Sequence, residues 1–127
     1  MDYGRFNITK SDFQTLIVLL NFKFSTYKQW RTKFDILCTA DLKDIPKKFA
    51  GRVKGQSIAL TGWIPVSRRD LIQVIKKCGG KIITEVNEQC QLLMCGERPG
   101  MKLFEANELG VPILFYIEIG KMLKVYD

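Results

Sequence analysis

A few residues have the types and spacing to hold an anion. In the stretch LTGWIPVSRRDLIQVIKKCGGK, Leu60 to Lys81, a short apolar run ends at Thr61-Gly62, and a helix opens seven residues later. Thr61 offers a hydroxyl donor, and Gly62, without a side chain, lets an anion approach the backbone. Arg68 and Arg69 fall in the first helical turn, where a cation is unfavourable for the helix itself unless an anion neutralises it. The helix N-terminus adds unpaired N–H groups and partial positive charge. Lys102 opens a second helix after a Pro-Gly loop and reaches the same place if both helices start on one side of a sheet. That chemistry is phosphate capture. The same residues also read as a capped strand-helix turn with exposed arginines, and on physical grounds the two readings stand level.

Catalytic chemistry has little to work with. The chain has no histidine, which removes the usual Ser-His and Cys-His nucleophile pairs. The four cysteines, Cys38, Cys78, Cys90 and Cys95, form no C-x-x-C pair. Their spacing suits no zinc site, so they read as small core residues, and neither metal nor cofactor is expected. Lys33-Phe34-Asp35-Ile36 begins like the K-x-D-G of a nucleotidyltransferase, but Ile36 replaces the glycine. The rest of such a domain has no room in 127 residues, so Lys33 reads as an exposed helix charge and the expectation is a protein that is not an enzyme.

The elements that must position these residues follow from length and pattern. A chain of 127 residues, 46% hydrophobic, builds one domain with a real core. Its longest apolar run, Leu16 to Leu20, is far short of the roughly 20 residues a membrane helix needs, and no basic leader precedes it. A cytoplasmic protein with no membrane association is the expectation. Net charge is +7 and unevenly placed: residues 1–54 hold 11 Lys and Arg against 5 Asp and Glu, residues 55–127 hold 9 against 8. Such asymmetry fits an anionic partner, most often nucleic acid, and equally a surface kept soluble by charge.

Residues 1–54 read as short helices. Thr9-Lys10-Ser11-Asp12 and Ser11-x-x-Gln14 offer capping boxes before Phe13, Leu16, Ile17 and Leu20. Thr26-x-x-Gln29 starts a second helix, with Tyr27, Trp30, Phe34 and Leu37 in one apolar stripe that reads as core rather than as base-stacking platforms. Lys28, Arg31 and Lys33 fall off that stripe, either as a solvated face or against a phosphate backbone. Asp44-Ile45-Pro46 opens another helix with Phe49 and Val53 inward, and Lys54-Gly55 forms the joint with the next segment.

From residue 57 the period changes. Ser57 to Leu60 reads as a buried strand. Ser67-Arg68-Arg69-Asp70 is a capping box for a helix with Leu71, Val74, Ile75 and Cys78 inward, and Gly79-Gly80 ends it. Lys81–Thr84 and Gln91–Cys95 are strand candidates. Met101–Leu109 reads as a helix with Leu103, Ala106 and Leu109 inside, Pro112–Phe115 as a strand, and Tyr116–Lys124 as a final helix. The order βαββαβα predicts an α/β fold, a four-stranded parallel sheet flanked by helices and preceded by a helical N-terminal extension.

GQSIALTGWIPVSRRDLIQVIKKCGGKIITEV and LLMCGERPGMKLFEANELGVPIL together resemble a BRCT domain over about residues 55–127, with residues 1–54 outside it. The flavour is that of bacterial NAD-dependent DNA ligases and of the large subunit of the clamp loader, replication factor C. LTG, P-x-x-x-R-D, GGK, GE-x-x-G-x-K and A-x-ELG occur in that order, which is specific although each piece is short. The sequence departs from the family pattern at Ile119, where tryptophan is common, at Phe115, where an N-capping residue is common, and at Cys90, where threonine is frequent. Ile45-Pro46-Lys47-Lys48 bears a faint likeness to a helix-hairpin-helix turn but lacks its phosphate-gripping glycines.

The resemblance implies a module that binds DNA ends and nicks. It puts a 5′-terminal phosphate of double-stranded DNA on Thr61, Gly62, Arg69 and Lys102, with Arg69 matching because it directly precedes Asp70. Arg68, Lys81, Lys28, Arg31, Lys33, Lys47 and Lys48 are the further DNA contacts to test. The partner set would be duplex DNA and a ligase or other replication or repair protein. The alternative is a protein-interaction module, since the same pocket suits phosphoserine or a partner protein.

Overall fold

The computed structural model describes residues 27–125. The expected caps at Thr9–Asp12, Ser11 and Thr26, and the stripe from Phe13 to Leu20, lie outside the described residues.

Residues 27–39 are helical (α1). Trp30, Phe34 and Leu37 recur at three- and four-residue steps, and each is 1% exposed. A 3-10 turn at Leu42–Asp44 leads to α2, Lys47–Val53, which begins directly after Pro46 and buries Phe49 and Val53. Trp30, Phe34 and Leu37 of the expected stripe are therefore core, whereas Tyr27, at the start of the helix, is only half-buried.

β1 (Ser57–Thr61), α3 (Arg68–Lys77), β2 (Lys81–Ile82), β3 (Leu92–Cys95), α4 (Met101–Leu109), β4 (Ile113–Phe115) and α5 (Tyr116–Met122) come next, in the expected order. The strands form one sheet, β2-β1-β3-β4, and every pairing is parallel. β1 and β3 are central and covered on both faces, which is why their sequences are nearly continuous apolar runs. Successive side chains alternate between the faces. Ile58, Leu60, Leu92, Met94 and Leu114 join a cluster with α1, α2, α3 and α5. Ala59 and Leu93 face the other way, into a smaller cluster with Ala106 of α4.

The larger cluster runs without a break from Trp30 on α1 to Val125. Burying side chains as large as Trp30 and Phe34 contributes about 1.5–3 kcal/mol each, enough to fix α1 on the sheet.

Three local details stem from particular residues. Ser67 caps α3, its Oγ accepting from the Asp70 N–H at 3.1 Å. Gly79, at φ +87°, ends α3, and a Cβ on Gly80 would lie 2.6 Å from Ile75 Cγ2, so the expected glycine stop is also a packing requirement. β2 stops at Ile82, short of the Thr84 expected. One expectation needs correcting: Leu109 is 49% exposed. α4 rests on the sheet through Ala106, and its last turn leaves the core before Leu109.

Candidate functional site

The carboxyl end of β1 is locked to the end of β3 by backbone. Gly62 has φ +79°, and a Cβ there would lie 2.6 Å from the Glu97 carbonyl oxygen. A Cβ on Gly96 would lie 2.2 Å from the Trp63 carbonyl oxygen. The Trp63 and Glu97 N–H groups each donate to the other's carbonyl at 2.8 Å, and the Gly96 N–H donates to Thr61 O, also at 2.8 Å. Only two glycines let these turns approach so closely.

Cations reach this point from both faces of the sheet. α3 starts beside Gly62, and Arg68 Nη2 donates to the Gly62 carbonyl at 3.2 Å. α4 starts after Gly100, whose φ of +67° and ψ of −151° suit only glycine. Lys102 Nζ then donates to the Leu60 carbonyl at 3.4 Å. The expected approach of Lys102 to Thr61-Gly62 is thus geometrically met. Among the described residues, none accepts a hydrogen bond from the Gly62 N–H.

Thr61 is 7% exposed, and its hydroxyl donates to the Pro99 carbonyl. That bond ties β1 to the loop that launches α4. A phosphate oxygen is the stronger acceptor and would compete for the same proton. Arg69 is exposed and takes part in none of these bonds; Arg68 is the arginine already resting on Gly62. The cleft lined by Thr61, Gly62 and Arg68 encloses only about 10 Å³, so a phosphate fits at its mouth rather than inside.

The other expected contacts spread out. Lys28 and Arg31 are exposed on α1, and Lys33 is half-buried. The start of α1 lies against the site, because the Tyr27 and Trp63 rings meet edge to face at 5.2 Å. Lys81 pairs with Ser57 at the opposite end of β1, roughly 13 Å from Thr61 at about 3.3 Å per residue. Lys47 lines a separate groove with Lys43, Lys54 and Gly79, and Lys48 is exposed on the same helix. The structure does not bring Lys81, Lys47 or Lys48 to the Thr61-Gly62 turn.

Sequence reasoning missed Trp63, Gly96 and the Pro99 carbonyl as parts of the site. The signal was a second glycine turn, Gly96-Glu97, at the end of the next strand. Tyr116 Oη also donates to Glu97 Oε1 at 3.2 Å and steadies that turn. The cysteines are free, and burial raises the Cys95 and Cys78 thiols above their ordinary value, which keeps them protonated and unreactive. Among the described residues, no three His, Cys, Asp or Glu side chains group as metal ligands, and no helix is long and apolar enough to cross a membrane.

A family profile described as the BRCA1 C Terminus (BRCT) domain matches residues 51–119. A DNA ligase of Thermodesulfovibrio yellowstonii is 39% identical over 72 residues, which is 57% of this chain and 11% of that protein. A DNA ligase of Helicobacter pylori is 32% identical over 111 residues, 86% of this chain and 17% of that protein. The chain therefore spans less than a fifth of the length of these relatives. The solved structure of S. pombe Rad4 BRCT3,4 superposes with a TM-score of 0.52 at 18% identity, over 62% of this chain and 45% of that one. That likeness is one of fold.

Proposed function

This chain belongs to the BRCT family through residues 51–119, and on that footing we propose that it is a non-catalytic module holding 5′-phosphorylated ends or nicks of duplex DNA. In this reading residues 55–127 are the binding domain and residues 1–54 a basic extension that grips the flanking backbone. The observation that carries it is the meeting of Lys102 and Arg68, from opposite faces of the sheet, on the Leu60–Gly62 segment. A terminal phosphate carries more charge than an internal phosphodiester, so a cluster of donors tells the two apart. Thr61, Gly62, Arg69 and Lys102 are the phosphate residues, with Arg68 holding the turn and Lys28 and Arg31 on the flanking duplex. The matched relatives named DNA ligase support a role beside nick joining or repair.

The test is fluorescence anisotropy with duplex DNA, with and without a 5′-phosphate, at low and moderate salt. The expected result is a preference for the phosphorylated end, lost in Arg69→Ala and Lys102→Ala. Affinity should fall with salt at a log–log slope of about −0.9 per phosphate neutralised. Binding that ignores the phosphate and survives both changes would move the contact to α1. One observation supports protein recognition as the second reading: Met101 and Phe104, either side of Lys102, are 68% and 57% exposed, apolar ground for a phosphopeptide. No DNA binding at any salt would put that reading first.

A further inference from the structure

We propose that a groove at the end of the molecule away from Thr61 docks an acidic segment of a partner protein, with an apolar side chain of that segment on its floor. The groove lies between the 3-10 turn and α2 on one side and the last turn of α3 on the other, and it encloses about 440 Å³. Leu42, Ile45, Ala50 and Cys78 make its lining mostly apolar. Lys43, Lys47 and Lys54 are its exposed cations, and no carboxylate lines it, although Asp41 and Asp44 flank the turn. Among the described residues, none forms an ion pair with these three lysines. Lys77 also lines the groove but is committed to the carbonyls of Leu37, Cys38 and Ala40.

Gly51 supplies an independent observation. It lies inside α2, where glycine is a poor helix former. Its φ is not positive, and a Cβ there would meet nothing within 4 Å. Neither backbone geometry nor packing within the chain calls for glycine at this position. Gly51 lines the groove, so the space left by its missing side chain is open to whatever approaches α2 from outside.

The lining selects the occupant. A phosphate backbone would meet the three lysines but gain nothing from Leu42, which is 52% exposed, or from the apolar floor. A peptide with acids on either side of an apolar residue meets both: its carboxylates face the lysines, and its apolar side chain covers Leu42. The groove also stands apart from the phosphate site. The Gly55 N–H donates to the Gly79 carbonyl at 3.0 Å just before β1 begins, whereas Thr61 ends that strand. Both sites can therefore be filled at once, and residues 42–54 of the basic extension acquire a partner other than DNA.

The experiment is an NMR titration of the isotope-labelled full chain with a short peptide carrying Leu-Phe between runs of Glu. Two control peptides keep its length: Ser replaces Leu-Phe in one, and Gln replaces Glu in the other. The first peptide should shift the amides of Lys43, Gly51, Gly55 and Gly79 and leave those of Gly62 and Gly96 in place. Each control should bind at least about fivefold more weakly. A Lys43→Gln, Lys47→Gln, Lys54→Gln variant should lose about tenfold in affinity, the scale of three exposed ion pairs. Leu42→Ser should lose roughly fivefold. Gly51→Ala should raise the urea midpoint yet weaken the peptide about fivefold, a split that a purely structural role would not produce. The proposal is overturned if millimolar peptide shifts no groove amide, or if the Ser control binds as tightly as the Leu-Phe peptide. Gly51→Ala binding like wild type would contradict docking on α2. If the triple lysine variant loses affinity for unphosphorylated duplex as it does for the peptide, the groove is a nucleic-acid surface and the proposal falls.

Discussion

Lys102 Nζ lies 3.4 Å from the Leu60 carbonyl oxygen, so α4, packed on one face of the sheet, delivers its cation to the end of a strand whose other face supports α3. Arg68 arrives from that other face, 3.2 Å from the Gly62 carbonyl. Two like charges brought to one strand end repel each other, and a doubly charged anion between them would offset that repulsion.

Replacing Lys102 with alanine removes its 3.4 Å bond to the Leu60 carbonyl and, in DNA binding, should act on the terminal phosphate alone. Hydrogen bonds to charged groups contribute about 1.5–3 kcal/mol, so affinity for a phosphorylated end should drop by roughly ten- to a hundredfold. Affinity for a hydroxyl-terminated duplex should stay level. Equal loss on both ends, measured by anisotropy, would make Lys102 an ordinary backbone contact.

The two arginines should separate. Arg68 already donates to Gly62, whereas Arg69 is exposed and takes part in none of the site's bonds. About 100° apart around the helix, they approach the turn from different directions. Arg69→Ala should abolish the phosphate preference, and Arg68→Ala should reduce it only as far as the Gly62 turn loosens. The ratio of affinities for phosphorylated and unphosphorylated duplex, measured for each variant, decides. If only Arg68→Ala lowers that ratio, the arginine seated on Gly62 is the ligand and Arg69 is a bystander.

Gly96→Ala should be severely destabilising. Its Cβ would sit 2.2 Å from the Trp63 carbonyl oxygen, a backbone atom that moves only if the β1–β3 lock opens. A loss of more than about 3 kcal/mol in urea unfolding is expected, the range of severe overpacking. Gly51 is the control: it lies within α2, and a Cβ there meets nothing within 4 Å. Gly51→Ala should stabilise by about 0.5–1 kcal/mol. Similar outcomes for the two would contradict the tight approach at Gly96.

The legible features of the sequence are local or topological. Ser67 three residues before Asp70 spells out a cap, and Gly79-Gly80 a helix end. Alternating strands and helices imply a parallel sheet, and a parallel sheet starts its helices at one edge, which is why sequence alone puts Lys102 near Thr61. The illegible features depend on contacts between distant segments. Nothing in the spacing of Trp63 and Glu97 signals a bridge between them. Leu109 follows the helical period, but period does not say where a helix leaves a sheet. Lys81 shares a motif with Gly79-Gly80, yet register puts it beside Ser57, at the wrong end of β1.

Lys77 is a second such case, and it carries a stability prediction. Its Nζ donates to the carbonyls of Leu37, Cys38 and Ala40 at 3.2, 2.9 and 2.6 Å. Those are carbonyls at the C-terminal end of α1, where orphan acceptors and the helix dipole both favour a cation. Lys77→Met keeps the stem and removes the donors, so it should cost about 1–3 kcal/mol, the penalty for stranding partly buried acceptors. Lys76→Met, at an exposed neighbour, should cost under about 0.5 kcal/mol. Urea midpoints of the two variants test the difference; equal midpoints would mean that the Lys77 bonds add nothing to the hold of Trp30, Phe34, Leu37 and the Gln73–Cys38 hydrogen bond on α1.

Alkaline pH should weaken the fold through its thiols. Burial raises the Cys78 and Cys95 values, with Lys77 partly opposing the shift at Cys78. Burial also raises Cys38, helped by Asp70 and Asp35 and opposed by Lys77. Each thiol therefore holds its proton more tightly in the folded protein than in the unfolded chain. Their contribution is complete below the ordinary thiol value of about 8.5. As pH rises through that value the unfolded chain ionises first, binds fewer protons than the native state, and gains on it, so stability falls until the higher folded values are passed. Urea midpoints under reducing conditions should be flat from about pH 7 to 8 and decline above about 8.5. The decline should be shallower in a Cys78→Ala, Cys95→Ala double variant, whatever its stability at neutral pH. An undiminished slope in that variant would show that these two thiols do not carry the alkaline loss.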